Sequence, residues 1–101
     1  VLARFEKAIP ARSRVVALEV DGKALSSQGL ADFVRRAELD SVQTLCFLIG
    51  GSYGLPRALS ARADFKLSLS AMTLPHRLAR VFLAEQIYRA FTILHNEPYS
   101  H

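Results

Sequence analysis

A single cysteine stands among the 101 residues, so no disulfide can close within this chain. That residue, Cys46, lies in the apolar run Thr44-Leu45-Cys46-Phe47-Leu48-Ile49, where it reads as a small buried hydrophobe rather than a reactive thiol. Cysteine used in this way fits a reducing compartment, and a cytoplasmic location is expected. Long apolar runs are missing too: none approaches the ~20 residues a bilayer-spanning helix needs, so no membrane partner is expected. Histidine is scarce, and His76, His95 and His101 share no ligand spacing with one another or with Cys46, so no metal is expected. A nucleophile-elbow motif is absent, which sets aside a serine-histidine-aspartate triad. Neither repeats nor low-complexity segments occur, and the length allows one domain, 1–101, with no room for a second. A domain of this size buries roughly 65% of the surface its unfolded chain exposes, enough for a core without disulfides or a structural metal.

What is present is half hydrophobic and mildly basic. Thirteen Lys and Arg against nine Asp and Glu give a net charge of +4, a balance that suits a polyanionic partner such as nucleic acid without requiring one. Leu2, Phe5 and Ile9 recur at helical spacing with no capping residue before them. Residues 1–9 therefore read as the tail of a longer helix, ended by Pro10, whose beginning is expected to precede Val1. The segment 14–20 (Arg-Val-Val-Ala-Leu-Glu-Val) is β-branched and mostly apolar, which predicts a buried strand, with Asp21-Gly22 as the turn after it. Ser26 or Ser27 offers an N-cap for a helix running through Leu39, with Leu30, Phe33, Val34 and Ala37 inward and Arg35, Arg36 and Glu38 toward water. Asp40-Ser41 closes it.

A second apolar strand is predicted over 43–49, running into the glycine loop Gly50-Gly51-Ser52-Tyr53-Gly54, after which Leu55-Pro56 open a short helix to about Ala63. Residues 65–70 alternate with period two and predict a third strand. The last helix is expected over 76–95. One apolar stripe on it holds Leu83, Ile87, Ala90, Phe91 and Leu94, a second holds Leu78, Val81, Phe82 and Tyr88, and Glu85, Arg89, Thr92 and Asn96 form the polar remainder. Two apolar faces on one helix point to a homodimer, or else to a helix filling a groove in its own sheet. Strands alternating with helices give an α/β domain with a mainly parallel sheet and helices on both faces.

Three places are able to carry chemistry. The glycine loop joins a strand end to a helix, where backbone N–H groups can face a ligand. Its Gly-Gly-x-x-Gly pattern has Ser52 where G-x-G-x-x-G needs its second glycine, and no G-K-[ST] follows, so a tight turn explains it equally well. The second place is Ser68-Leu69-Ser70-Ala71-Met72-Thr73-Leu74-Pro75-His76-Arg77, a strand end whose small and hydroxyl side chains leave room for a ligand against the backbone. Here His76 is either a solvated residue at a helix start or a neutral catalytic imidazole, and Arg77 and Arg80 are either an exposed basic helix end or a phosphate grip. The third is the tail, Asn96 to His101, able to lay Tyr99 across a pocket.

Taken in order, Phe47-Leu48-Ile49-Gly50-Gly51-Ser52-Tyr53-Gly54-Leu55, then Leu67 through His76, then Arg80-Val81 with Ala84-Glu85-Gln86-Ile87-Tyr88-Arg89-Ala90, then Glu97-Pro98-Tyr99 resemble the RlmH family. The resemblance extends upstream through Val16-Ala17-Leu18-Glu19-Val20-Asp21-Gly22-Lys23 and Ser26-Ser27-Gln28-Gly29-Leu30-Ala31, and so covers nearly the whole chain. Those proteins are SPOUT-class ribosomal RNA methyltransferases. The resemblance implies a C-terminal trefoil knot, a homodimer, and methylation of N3 of a pseudouridine in large-subunit ribosomal RNA, within the assembled ribosome, using S-adenosylmethionine. It places the cofactor on Leu18, Gly50 and the run Leu69, Ser70, Ala71, Met72, Thr73 and Leu74. His76 is expected to accept the N3 proton, Arg80 to hold substrate phosphate, and Tyr99 to pack near the target base. Family members carry a further strand and most of a helix ahead of the point matching Val1, expected to be missing here. Their tails usually continue Pro-Tyr-His and a basic residue where Ser100 and His101 stand. A non-catalytic RNA- or ribosome-binding dimeric relative is the alternative.

Overall fold

The β-branched stretch after Arg12 forms the central strand of the sheet in the computed structural model, which describes residues 9, 12–50 and 55–96. This strand, β1 (Ser13–Ala24), is flanked on one side by β2 (Thr44–Leu48) and on the other by β3 (Phe65–Ser68), both parallel to it. The helices are α1 (Ser27–Leu39), α2 (Arg57–Arg62) and α3 (His76–Leu94), so the elements alternate as an α/β domain, as expected. The predicted helix over 1–9 lies outside the described residues apart from Ile9, which is buried.

Alternation along the strands sends side chains to two separate cores. Val16, Leu67, Leu30, Ala31 and Ala90 form one, with Phe33 and Phe65 beside it at a ring separation of 5.0 Å. Val15, Leu48, Leu59 and Ile9 form the other, with Cys46 packed against it. Helices α1 and α3 thus cover one face of the sheet and α2 the other. Cys46 is half-buried rather than fully buried as expected, and that burial pushes its thiol pKa up against a smaller opposing effect of Arg62.

Helix α1 begins where a cap is available: the Ser26 hydroxyl accepts from Gly29 N at 2.9 Å. It ends in a Schellman turn, with Ser41 N donating to Glu38 O and Val42 N to Ala37 O. This turn holds Ser41 at a φ of 58°, in the left-handed region. Asp40, at the same end, receives Arg14 at 3.2 Å and Arg36 at 3.3 Å, and the Arg14 hydrogen bond above all holds its carboxyl below the ordinary range. Across the sheet, Asp64 extends the β1–β3 ladder by one rung: its carboxylate accepts from Val15 N and its own N donates to Val15 O, both at 2.8 Å.

The expected turn at Asp21-Gly22 is not formed. Strand β1 continues through both residues, and Leu18 and Lys23 both pair with Leu67, so residues 19–22 leave the ladder as an excursion and return to it. The reason lies at Gly22, where an added Cβ would stand 2.8 Å from the carbonyl carbon and oxygen of Lys66 and 2.9 Å from that of Leu67. Only glycine brings the β1 backbone so close to β3, and that contact replaces the turn. Strand β3 is shorter than the period-two pattern suggests, because Leu69 and Ser70 leave it.

Helix α3 buries Ala79, Leu83, Ala90 and Thr92. Thr92 was expected on the polar stripe, but its hydroxyl donates to Arg89 O at 2.7 Å, which satisfies it and lets the methyl side pack inward. Glu85 pairs with Arg89 as the spacing predicts, and Gln86 accepts from Ser27 of α1 at 2.7 Å. The second apolar stripe stays open in the single chain: Leu78 is 51% exposed, Val81 66% and Tyr88 56%. Phe91, placed in the first stripe from the sequence, also reaches the surface at 42%.

Candidate functional site

The order β2-β1-β3 means that the chain leaves β1 to one side and later returns on the other, which makes the β1/β3 boundary a topological switch point. Crevices outside the carboxyl ends of strands form at such points, because the connecting segments diverge there. A cavity of about 590 Å³ lies at this place, lined by Leu18, Glu19 and Val20 from β1, Ile49 and Gly50 beyond β2, and Leu69 and Ser70 beyond β3. That volume falls within the range of small-molecule sites.

Its remaining wall is the connection into α3. The Ser68 hydroxyl donates to Ser70 O and the Ser70 hydroxyl accepts from Met72 N, both at 2.9 Å, so the chain folds on itself as soon as β3 ends. Met72, Thr73, Leu74 and Pro75 then border the cavity, together with Ala79 of α3 and Leu55. Pro75 occupies the N-cap of α3 without any side-chain hydrogen bond, and no acidic residue lies in the first turn. The positive end of the helix dipole therefore stands at the cavity wall.

His76 joins the two loops. Its Nδ1 lies 3.0 Å from the carbonyl oxygen of Gly50, at the end of the segment leaving β2. A carbonyl only accepts, so Nδ1 carries a proton in this contact and Nε2 takes no part in it. The imidazole is exposed and stands at the cavity edge, with Nε2 left outside this contact.

The structure brings together eight of the residues singled out from the sequence: Leu18, Gly50, Leu69, Ser70, Met72, Thr73, Leu74 and His76 all line the cavity. Ala71 is exposed and stands outside the lining. Arg80 faces an adjoining groove instead, with Arg77, Phe47, Ile49, Leu83 and Ile87, and Ile49 is shared between groove and cavity. Tyr99 and the glycines at 51 and 54 lie outside the described residues. Glu19 is the lining residue with chemistry that sequence reasoning missed. A charged residue inside the apolar run Val15-Val16-Ala17-Leu18-Glu19-Val20 was the available signal, since a strand buried on both faces has no place for it.

Comparison with known proteins gives the family. The family model described as Predicted SPOUT methyltransferase matches residues 2–101. The Ribosomal RNA large subunit methyltransferase H of Syntrophotalea carbinolica is 48% identical over 96 residues, 95% of this chain and 62% of that protein. Its namesake in Carboxydothermus hydrogenoformans is 53% identical over 87 residues, 86% of this chain and 55% of that protein. In Geobacter sp. the figures are 47% over 98 residues, 97% of this chain and 64% of that protein. This chain thus spans roughly three fifths of the length of the curated relatives it matches. The match along residues 2–101, joined to a parallel α/β sheet with its cavity at the switch point, places the chain in the SPOUT methyltransferase family.

Proposed function

We propose that this chain binds S-adenosylmethionine in the switch-point cavity and transfers its methyl group to N3 of a pseudouridine in large-subunit ribosomal RNA. The observation that carries the reading is the cavity itself, built by Leu18, Gly50 and residues of the 69–74 run at the ends of three strands. The names of the relatives support the RNA class of the substrate. The cytoplasm is the matching location, and the trefoil knot follows from the family resemblance.

The residues present fit such a cofactor. Leu18, Leu69, Met72 and Leu74 supply apolar walls for a purine, and backbone groups freed where β3 ends at Ser68 can read its edge. The uncapped start of α3 suits the ligand's carboxylate. When bound, S-adenosylmethionine supplies a methyl group already activated by its sulfonium. The protein's main task is then to hold the acceptor nitrogen in line, with proton removal a second demand. His76 meets that demand: the Gly50 carbonyl fixes its tautomer, and Nε2 takes the N3 proton. Arg77 and Arg80, both exposed on the first turns of α3, hold substrate phosphate. Tyr99 packs against the target base. A second copy of the chain covers the open stripe of α3, where Leu78, Val81 and Phe82 are exposed.

Calorimetric titration of the chain with S-adenosylmethionine, with Gly50→Val as control, tests the cavity, and methyl incorporation into ribosomes tests the reaction. His76→Asn keeps an N–H donor for Gly50 O and removes the base. Transfer is expected to fall at least about 10²-fold in that variant, with cofactor affinity changed less than about threefold. Full activity in His76→Asn would remove the proton acceptor from the scheme. Saturable cofactor binding with no methyl incorporation would favour a non-catalytic RNA- or ribosome-binding relative.

A further inference from the structure

We infer that Glu19 is a specificity-determining residue of the cavity, the carboxylate that reads the ligand's positive charge. The inference rests on the cofactor reading above and goes beyond it. Among the described residues lining the cavity, Glu19 is the only one with a carboxylate, and His76 is the only other ionisable side chain. Glu19 is half-buried and makes no salt bridge among the described residues.

Its position is built by the fold. Residues 19–22 leave the β1–β3 ladder between the pairings of Leu18 and Lys23 with Leu67, and Gly22 is pressed against the backbone of Lys66 and Leu67 at the far end of the excursion. An uninterrupted strand would have carried residue 19 on along the ladder; the excursion instead lines the cavity with it. The other electrostatic feature of the wall is the positive end of α3, which attracts anions and repels cations. A cation therefore gains little from this apolar cavity except at Glu19, where charge meets charge away from full solvent screening.

The cationic groups in question are a sulfonium and an α-ammonium, and three probes separate them. S-adenosylmethionine carries both, S-adenosylhomocysteine keeps only the ammonium, and 5′-methylthioadenosine carries neither. Calorimetry with the full chain and its isosteric Glu19→Gln variant is expected to show S-adenosylmethionine weakened about tenfold, toward the low end for a charge-assisted contact. Binding of 5′-methylthioadenosine is expected within twofold of wild type, which also shows that the variant keeps its cavity. Glu19→Asp, which retains the charge, is expected to recover part of the loss.

Weakening of S-adenosylhomocysteine in step with S-adenosylmethionine assigns the contact to the ammonium, and its insensitivity assigns it to the sulfonium. Unchanged S-adenosylmethionine binding, or equal weakening of 5′-methylthioadenosine, overturns the assignment while the cavity reading stands. A wild-type chain that binds none of the three removes both.

Discussion

Gly22→Ala tests the architecture most directly, because the cost is set by backbone rather than by side chains that can move aside. The new Cβ would sit 2.8 Å from Lys66 C and O and 2.9 Å from Leu67 C, where ordinary contact begins at 3.4 Å. Overpacking of this kind costs about 1–3 kcal/mol, and the upper half applies because strand β3 cannot rotate its carbonyls away without breaking its ladder with β1. Loss of unfolded-state entropy returns about 0.4–1 kcal/mol, leaving a net destabilisation of about 2 kcal/mol. For a domain of this length that is a fall in Tm of roughly 8–10 °C, read by circular dichroism melts. The excursion that holds Leu18, Glu19 and Val20 at the cavity would shift with it, so S-adenosylmethionine binding should weaken in the same variant. Gly29→Ala is the internal control. Its Cβ meets the Ser26 hydroxyl at 3.3 Å and Leu25 side-chain carbons at 3.5 and 3.6 Å, side-chain atoms rather than backbone, so a Tm between unchanged and about 4 °C higher is expected. A Gly22→Ala variant that melts within about 2 °C of wild type and binds normally would refute the account of the excursion.

Ser41→Gly should stabilise the chain by about 0.5–1 kcal/mol, because residue 41 holds a left-handed φ that glycine adopts without cost, and a chemical denaturation midpoint reads the gain. Asp64→Ala removes the acceptor of Val15 N and should cost about 1–3 kcal/mol, with Asp64→Asn recovering part of it because its amide oxygen can still accept. The Asp40 carboxyl is held below its ordinary range by Arg14 first and Arg36 second, so its stabilising effect is present above about pH 4 and lost as pH falls through the depressed value. Asp40→Asn should therefore melt below wild type at neutral pH and converge with it in acid. Val81→Arg, placed at the centre of the open stripe of α3, should shift sedimentation from dimer to monomer without lowering the melting temperature of the isolated chain, since Val81 is 66% exposed there.

The alternation of strands and helices was legible because each element carries a strong local signal. Helix α1 is capped by Ser26, one of the two serines offered by the sequence, and α3 starts at His76 because Pro75 has no N–H to extend a ladder while its carbonyl accepts from Ala79 N. Strand β3 was read two residues too long: the alternation of Leu67-Ser68-Leu69-Ser70 is unbroken, but Ser68 and Ser70 turn their hydroxyls to local backbone and end the ladder. The excursion in β1 was not legible at all. Asp21-Gly22 is a good turn by composition, and only the approach of a strand more than forty residues away decides otherwise. For the same reason the tether between His76 and Gly50 had no local signature, whereas the 69–74 run was found through its order of motifs.

The cavity and the neighbouring groove meet at Ile49, and under the proposed function this sets the side from which an acceptor reaches the donor. Ile49 lines both, while Ala79 faces the cavity and its chain neighbour Arg80 faces the groove, so the first turns of α3 form the ridge between them. His76 sits on that ridge with its Nδ1 donating to Gly50 O, which leaves Nε2 outside that contact. A polyanion laid along Arg77 and Arg80 would therefore have His76 one helical turn from its phosphates and the cavity mouth just beyond. Binding and chemistry are then separable by mutation. Arg80→Ala should weaken RNA binding, and reduce its salt dependence, with S-adenosylmethionine affinity unchanged. His76→Asn should do the reverse of a binding variant, leaving both affinities in place and slowing transfer. Loss of cofactor affinity in Arg80→Ala would mean that groove and cavity are one site, and the approach of the acceptor across the ridge would have to be abandoned.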